Sequence, residues 1–288
     1  MAMLPSWAPG IVSALKVGVP IRDPFIHEAL LAVRGSAVHG LRTKARLLVK
    51  AAARLMGVMD ETGALEYGQV FLQVLPRTSP DDSAFQSRKA QVITGPVMIA
   101  KNPCIHPGDC RTLEAVDAPY LRHLVNVLVF PSKGPRPHPD ECSGSDLDGD
   151  EYWVCWDKAL LPHLPNHEPM SYAGSKLNFK AVLKDKIQVE DVVEFFVRSQ
   201  QSTTIGQISN AHMAMADDSK KGVLDPVCLH LAKLLSLAVD FPKTGVPAVF
   251  TDNLRPKKYP DFMEKKPSST YTSKKVLGRL YRNACLVP

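Results

Sequence analysis

The sequence predicts an α+β protein, a compact barrel of short strands followed by helices that cover it. Three observations lead there. Between Leu55 and Trp156, five short runs rich in β-branched and aromatic residues alternate with Gly-, Pro- and Asp-rich turns, a pattern of small barrels rather than doubly wound sheets. After Val189 the apolar period changes to that of helices. Between these regions, aspartates occupy alternate positions in Ser145-Asp-Leu-Asp-Gly-Asp150, which runs directly into the strand-like Tyr152-Trp-Val-Cys-Trp156.

In chain order, Asp23-Pro24 reads as a helix cap with proline at the first helical position. Phe25, Ile26, Ala29, Leu30 and Val33 give the stripe that follows, and Gly35 and Gly40 should interrupt it. Arg42, Arg46, Lys50 and Arg54 would form one basic ridge if that segment stayed helical. The strand candidates are Leu55–Met59, Gln69–Leu75, Gln91–Ala100, Leu124–Phe130 and Tyr152–Trp156. Ala159 to Lys186 reads as a long loop with one short helix. Val189, Val192, Val193, Phe196 and Val197 then form a helical stripe, and Ile205 to Ala216 is a second helix. Asp225-Pro226 starts a third helix, which should stop at Asp240-Phe-Pro242 because proline disfavours helical geometry in the residue before it. The expected organisation is a helical connector at 1–54, the barrel at 55–157, a helical domain packing on it at 158–255, and a basic, loosely ordered tail at 256–288.

A chain of 288 residues can bury one or two sizeable cores, and its 45% hydrophobic and 22% charged content is that of a soluble globular protein. No apolar run approaches the roughly 20 residues of a membrane span, and Met1 to Gly10 lacks a secretory leader pattern. Six widely spaced cysteines do not form a disulfide framework. The expectation is an intracellular, reduced protein without membrane association, with nucleus and cytoplasm not distinguished. The net charge of +6 is uneven: from Arg255 onwards nine Lys/Arg face two acids, and the remainder is close to neutral.

Alternate aspartates in an extended backbone project their carboxylates to one side. Asp146, Asp148 and Asp150 would repel one another unless a cation sat between them. Hard oxygen donors without His or Cys suit Mg²⁺ or Mn²⁺. A solvated turn fits poorly with a buried strand starting two residues later. An EF-hand loop counted from Asp146 would need glycine where Glu151 stands, and helices on both sides. Cys104, His106 and Cys110 invite zinc, but no CxxC pair supports it and Pro103 and Pro107 read as a stiff turn.

The segment Gly134-Pro-Arg-Pro-His-Pro-Asp-Glu-Cys-Ser-Gly-Ser-Asp-Leu-Asp-Gly-Asp150 resembles the catalytic loop of the eukaryotic RNA-dependent RNA polymerases of RNA silencing. Leu55-Met-Gly-Val-Met-Asp-Glu61, Asn102-Pro-Cys-Ile-His-Pro-Gly-Asp109 and Ala238-Val-Asp-Phe-Pro-Lys-Thr-Gly245 are similar to further signatures of that family, in the same order, so the resemblance covers roughly Arg42 to Glu264. The aspartate loop alone would also suit the largest subunit of DNA-dependent RNA polymerases, whose flanking residues differ.

The resemblance implies a double-psi β-barrel, the second of two in the family's catalytic core, with Asp146, Asp148 and Asp150 as its catalytic, metal-binding aspartates. It implies Mg²⁺- or Mn²⁺-dependent nucleotidyl transfer that copies single-stranded RNA into double-stranded RNA, with nucleoside triphosphates as substrates and silencing by small interfering RNA as the setting. Lys243 is a candidate phosphate contact, and Arg136 and His138 could steady RNA or metal-bound phosphate, although each also reads as an ordinary loop residue. Only about fifty residues precede Leu55, too few for the family's first barrel, so the chain is expected to be the C-terminal part of the core and to need that upstream barrel as partner. The alternative is a non-catalytic remnant that binds RNA or protein. A metal-dependent hydrolase is less well supported, since no general base beyond the aspartates presents itself.

Overall fold

The computed structural model describes residues 9–75, 89–161, 165–172, 187–201 and 204–287. They fall into two compact units, one from Met1–Leu48, Leu75–Ala90 and Tyr259–Pro288, the other from Val49–Val74 and Gln91–Lys258.

The first unit begins with helices α1 (Pro9–Lys16) and α2 (Pro24–Lys44). Asp23 caps α2 as expected, its Oδ1 accepting from the amides of Phe25 and Ile26 at 3.0 and 3.2 Å. Ile11 and Ile26 are buried together in a small apolar cluster. The helix runs through Gly35 and Gly40, which were expected to interrupt it; a helical glycine costs only about 1 kcal/mol. It ends at a left-handed cap, Ala45 at φ 48°. The basic ridge therefore does not form, because Arg46 and Lys50 lie beyond the helix and Arg54 lies in a strand.

The second unit is built on a closed barrel. Its strands are β1 (Ala52–Met59), β2 (Gln69–Val74), β3 (Gln91–Val92), β4 (Gly95–Lys101), β5 (Arg111–Ala115), β6 (Val127–Phe130) and β7 (Glu151–Cys155). The order β2-β5-β4-β7-β1-β6 closes through β6 pairing with β2, and β3 adds to β2 from outside the ring. β1 runs parallel to β6, and β2 to β5, while the other ring pairings are antiparallel. This closed six-stranded mixed barrel with flanking helices agrees with the expected α+β, double-psi fold. Leu55, Val70, Leu72, Val97, Ile99, Leu128, Phe130, Tyr152 and Val154 fill its interior. Phe71 and Val129 pack on the outside with Leu65 and Leu121, so β2 and β6 are buried on both faces, which explains their continuous apolar runs.

β5 was not expected. Its inward positions include Arg111, buried in an ion pair with Glu141, so apolar alternation is broken where a strand would be read. The short helix α3 (His138–Glu141) follows β6. Helices α4 (Val189–Gln201), α5 (Thr204–Asp218) and α6 (Pro226–Thr244) come next. α5 and α6 share a core of Ile208, Ala211, Leu231, Leu235 and Ala238. The apolar stripe of α4 stays exposed, from 45% at Val197 to 74% at Val189. α6 does not stop before Pro242 but continues to Thr244 and ends at Gly245, φ 68°, whose amide bonds Phe241 O at 2.8 Å. Proline there removes one hydrogen bond near a terminus, where the loss is tolerated better than mid-helix. The loop expected at Ala159 to Lys186 lies partly outside the described residues.

The stretch after Pro256 is not a loose tail. β8 (Tyr259–Pro260) pairs with β9 (Thr270–Tyr271), and α7 (Val276–Cys285) packs on α2. Arg42 Nε meets Glu264 Oε1 at 3.2 Å and Arg282 Nη1 meets Asp261 Oδ2 at 2.5 Å. Lysine-rich composition hid the order that these few acids and apolar residues create.

Candidate active site

The aspartate loop is held from beneath. Leu147, at φ 64° between the exposed Asp146 and Asp148, turns its side chain into the barrel core. It fits because position 57 in β1 is glycine: a Cβ there would stand 2.4 Å from Tyr152 Cε2 and 2.8 Å from Leu147 Cδ2. The Gly57 amide also donates to Asp150 O at 2.9 Å. Gly149, at φ 116°, makes the turn that brings Asp150 back toward its neighbours. One carboxylate oxygen from each of Asp146, Asp148 and Asp150 lies within 4.8 Å of the others, the one such group of potential metal ligands among the described residues.

Asp150 is the least exposed of the three. Its Oδ1 lies 2.5 Å from Lys101 Nζ, its Oδ2 accepts from Ser145 Oγ, and Ser145 in turn hydrogen-bonds the Tyr152 hydroxyl. Burial works to raise the Asp150 pKa, but the bonds from Lys101 and Ser145 and the lysine's charge outweigh it and hold the carboxyl below the usual range. Burial pushes the Tyr152 phenol up, so it stays protonated.

The aspartates open onto a cleft of about 760 Å³, walled by the Asn102–Asp109 loop and by α6 with Ser236, Asp240 and Thr244. Asp109 organises that loop. Its Oδ2 accepts from the amides of Ile105 and His106 at 3.0 and 2.9 Å, and Tyr172 donates to Oδ1. His106 Nδ1 accepts from the Gly108 amide at 3.1 Å, which leaves the proton on Nε2. Burial lowers the His106 pKa, Asp109 opposes this, and Lys233 and His167 assist it, so the ring is neutral at pH 7. Ser143 Oγ donates to Pro103 O at 2.6 Å, tying this loop to the aspartate stretch.

Of the other expected site residues, two are placed differently. His138 is buried, with Nε2 accepting from the Gly68 amide at 2.9 Å, Nδ1 at 2.7 Å from Glu141 Oε2, and Tyr67 stacked on its ring at 4.2 Å. Both ring nitrogens are thus occupied by protein groups. Arg136 Nε binds Asp140 Oδ2 at 2.7 Å and its Nη2 binds Met170 O at 2.8 Å, so it too is held by protein groups rather than presented to the cleft. The Lys243 side chain lies outside the described residues. Sequence reasoning missed Lys101, although it stands directly between the Gln91–Ala100 strand candidate and the Asn102–Asp109 signature, and it missed Ser145, which stands inside the aspartate stretch.

The sequence matches the family model described as RNA dependent RNA polymerase over residues 7–284. It is 46% identical over 263 residues to RNA-dependent RNA polymerase 1 of Arabidopsis thaliana, covering 91% of this chain and 23% of that protein. It is 38% identical over 288 residues to RNA-dependent RNA polymerase 1 of Schizosaccharomyces pombe, covering 95% of this chain and 24% of that protein. The structure is similar to that of the RNA dependent RNA polymerase QDE-1 from Thielavia terrestris, with a TM-score of 0.64 and 26% identity over 85% of this chain and 27% of that one. The chain thus spans about a quarter of the length of these relatives.

Proposed function

The chain belongs to the RNA-dependent RNA polymerase family, and from that premise we propose that it supplies the metal-binding half of an active site for nucleotidyl transfer. The whole polymerase would copy single-stranded RNA into double-stranded RNA for silencing, using nucleoside triphosphates, with an upstream barrel completing the cleft. The observation that supports this most directly is the convergence of three alternate carboxylates within 4.8 Å at the edge of a roomy cleft.

The donor set fits Mg²⁺ or Mn²⁺: three hard oxygen ligands, two of them exposed, on a loop whose backbone is fixed by Gly57 and Leu147. Asp146, Asp148 and Asp150 would hold the ion. When bound, such an ion neutralises phosphate charge and makes a hydroxyl nucleophilic. The chain's own residues do the positioning. Leu147 and Tyr152 anchor the loop so that the aspartates need not reorganise, Ser145 orients Asp150, and the Asn102–Asp109 loop and α6 confine whatever enters the cleft.

The test is Asp148→Ala. Mn²⁺ bound by the chain, followed by electron paramagnetic resonance, should fall at least tenfold with an unchanged melting temperature. Nucleotide incorporation on single-stranded RNA, assayed with a relative's upstream region supplied as a separate chain, should disappear. Near-normal Mn²⁺ binding or incorporation by Asp148→Ala would remove the assignment.

A further inference from the structure

Among the described residues, those lining the cleft include six aspartates, at positions 109, 140, 146, 148, 150 and 240, and one Lys or Arg, Lys101. Such a cleft repels a triphosphate until cations enter it. Lys101 cannot meet that need where it stands, because its Nζ is 2.5 Å from Asp150 Oδ1, with both side chains largely buried at 19% and 14% exposure.

We propose that Lys101 is an exchangeable counter-cation: it closes Asp150 while no divalent ion is bound, and is released toward an incoming triphosphate when the carboxylate is taken by a metal. This rests on the metal-binding reading of the aspartates. The backbone of Lys101 is fixed, since it ends β4 in register with Tyr152 of β7, so the ammonium moves on a flexible stem from a set point. Space for that movement exists on both sides, because Lys101 lines the cleft and also a smaller pocket of about 500 Å³ with Arg54, Gly149 and Trp153. Two consequences follow. Metal competes with an internal cation for Asp150, so affinity for the ion is set lower than the carboxylates alone would give. Nucleotide binds well only after the exchange, which orders the two events as metal first and triphosphate second.

The experiment compares the wild-type chain with Lys101→Met, which keeps the apolar stem, Lys101→Arg, which keeps the charge, and Asp150→Asn. Mn²⁺ affinity in the absence of nucleotide is read by electron paramagnetic resonance, and ATP affinity is read at saturating Mn²⁺. Lys101→Met should bind Mn²⁺ roughly tenfold more tightly, since a unit charge at contact distance is removed, and should bind ATP several-fold more weakly. Lys101→Arg should retain the wild-type order, and in the Asp150→Asn background the Lys101→Met effect on Mn²⁺ should vanish. Melting temperatures check that each variant is folded. If the wild type binds Mn²⁺ and Lys101→Met leaves that affinity unchanged or weakened, or if ATP affinity does not fall, this proposal is overturned while the metal site stands. If the wild type binds no Mn²⁺, both are overturned.

Discussion

His138 Nδ1 lies 2.7 Å from Glu141 Oε2, both side chains almost wholly buried. The same carboxylate receives the Tyr67 hydroxyl at 2.8 Å on Oε1 and faces Arg111 Nε at 3.0 Å on Oε2. Because His138 Nε2 accepts from Gly68, the ring is neutral and the buried charges are those of Glu141 and Arg111, which balance. Three segments distant in sequence are thus joined on one carboxylate. Glu141→Gln leaves the Arg111 charge without its partner and should cost about 3–5 kcal/mol in urea unfolding. His138→Ala should likewise lower stability; a loss of nucleotide affinity with stability intact would return His138 to the substrate-binding role that its burial argues against.

Gly57 is the position where the barrel and the proposed metal site depend on the same missing atom. Gly57→Ala drives a methyl into Tyr152 and Leu147, so it should destabilise by about 1–3 kcal/mol. Since Leu147 sits between two of the aspartates, Mn²⁺ affinity should fall as well. The two losses should appear together in one variant, and a stable Gly57→Ala chain with weakened Mn²⁺ binding would show that the loop moves independently of the barrel.

Asp60 gives the fold a pH dependence. At the end of β1 its carboxylate accepts from the Thr62 amide and hydroxyl at 2.9 and 2.7 Å and from the Leu65 amide at 2.8 Å. Burial raises its pKa, but these bonds outweigh burial and hold it below its ordinary value of 3.8. A depressed folded-state pKa means that the stabilisation is fully present above the unfolded value and is lost as pH falls through the folded one. Asp60→Asn should therefore lose about 1.5–3 kcal/mol at pH 7, and its deficit against the wild type should shrink as pH drops below 3.8. A deficit that stays constant down to pH 2.5 or so would mean the carboxylate's charge does not matter.

How legible this was depended on whether one residue type carried one role. The apolar runs at Leu55–Met59 and Gln69–Leu75 and the alternate aspartates could be read directly, because strand periodicity and carboxylate spacing each have a single physical cause. β5 could not, because Arg111 sits at an inward position and is tolerated only by Glu141, thirty residues away in sequence. His138 and Arg136 looked like substrate contacts because charge beside a catalytic loop suggests binding; only the fold reveals that Gly68, Glu141, Asp140 and Met170 already occupy them. Lys101 failed the opposite way, since a lysine at a strand end is usually solvated and its partner lies forty-nine residues on.

The charge of the chain is concentrated in the unit that lacks the aspartates. Residues 9–48 and 259–287 carry twelve Lys/Arg against four Asp/Glu, a net of +8 in a chain of net +6. Two of those four acids, Glu264 and Asp261, are engaged by Arg42 and Arg282, and Lys266, Lys274 and Arg279 remain exposed around α7. This favours weak, sequence-independent contact with RNA phosphates and release of their counterions. Deleting the stretch is a poor test, because α7 packs on α2 and its removal would expose that helix. The suitable variant is Lys266→Gln/Lys274→Gln/Arg279→Gln in the whole chain, titrated with single-stranded RNA of mixed sequence at several salt concentrations. Affinity should fall, and the slope of log K against log salt should become shallower by about 0.7 for each phosphate contact removed, with the melting temperature unchanged. An identical slope in wild type and variant would show that these cations do not meet RNA.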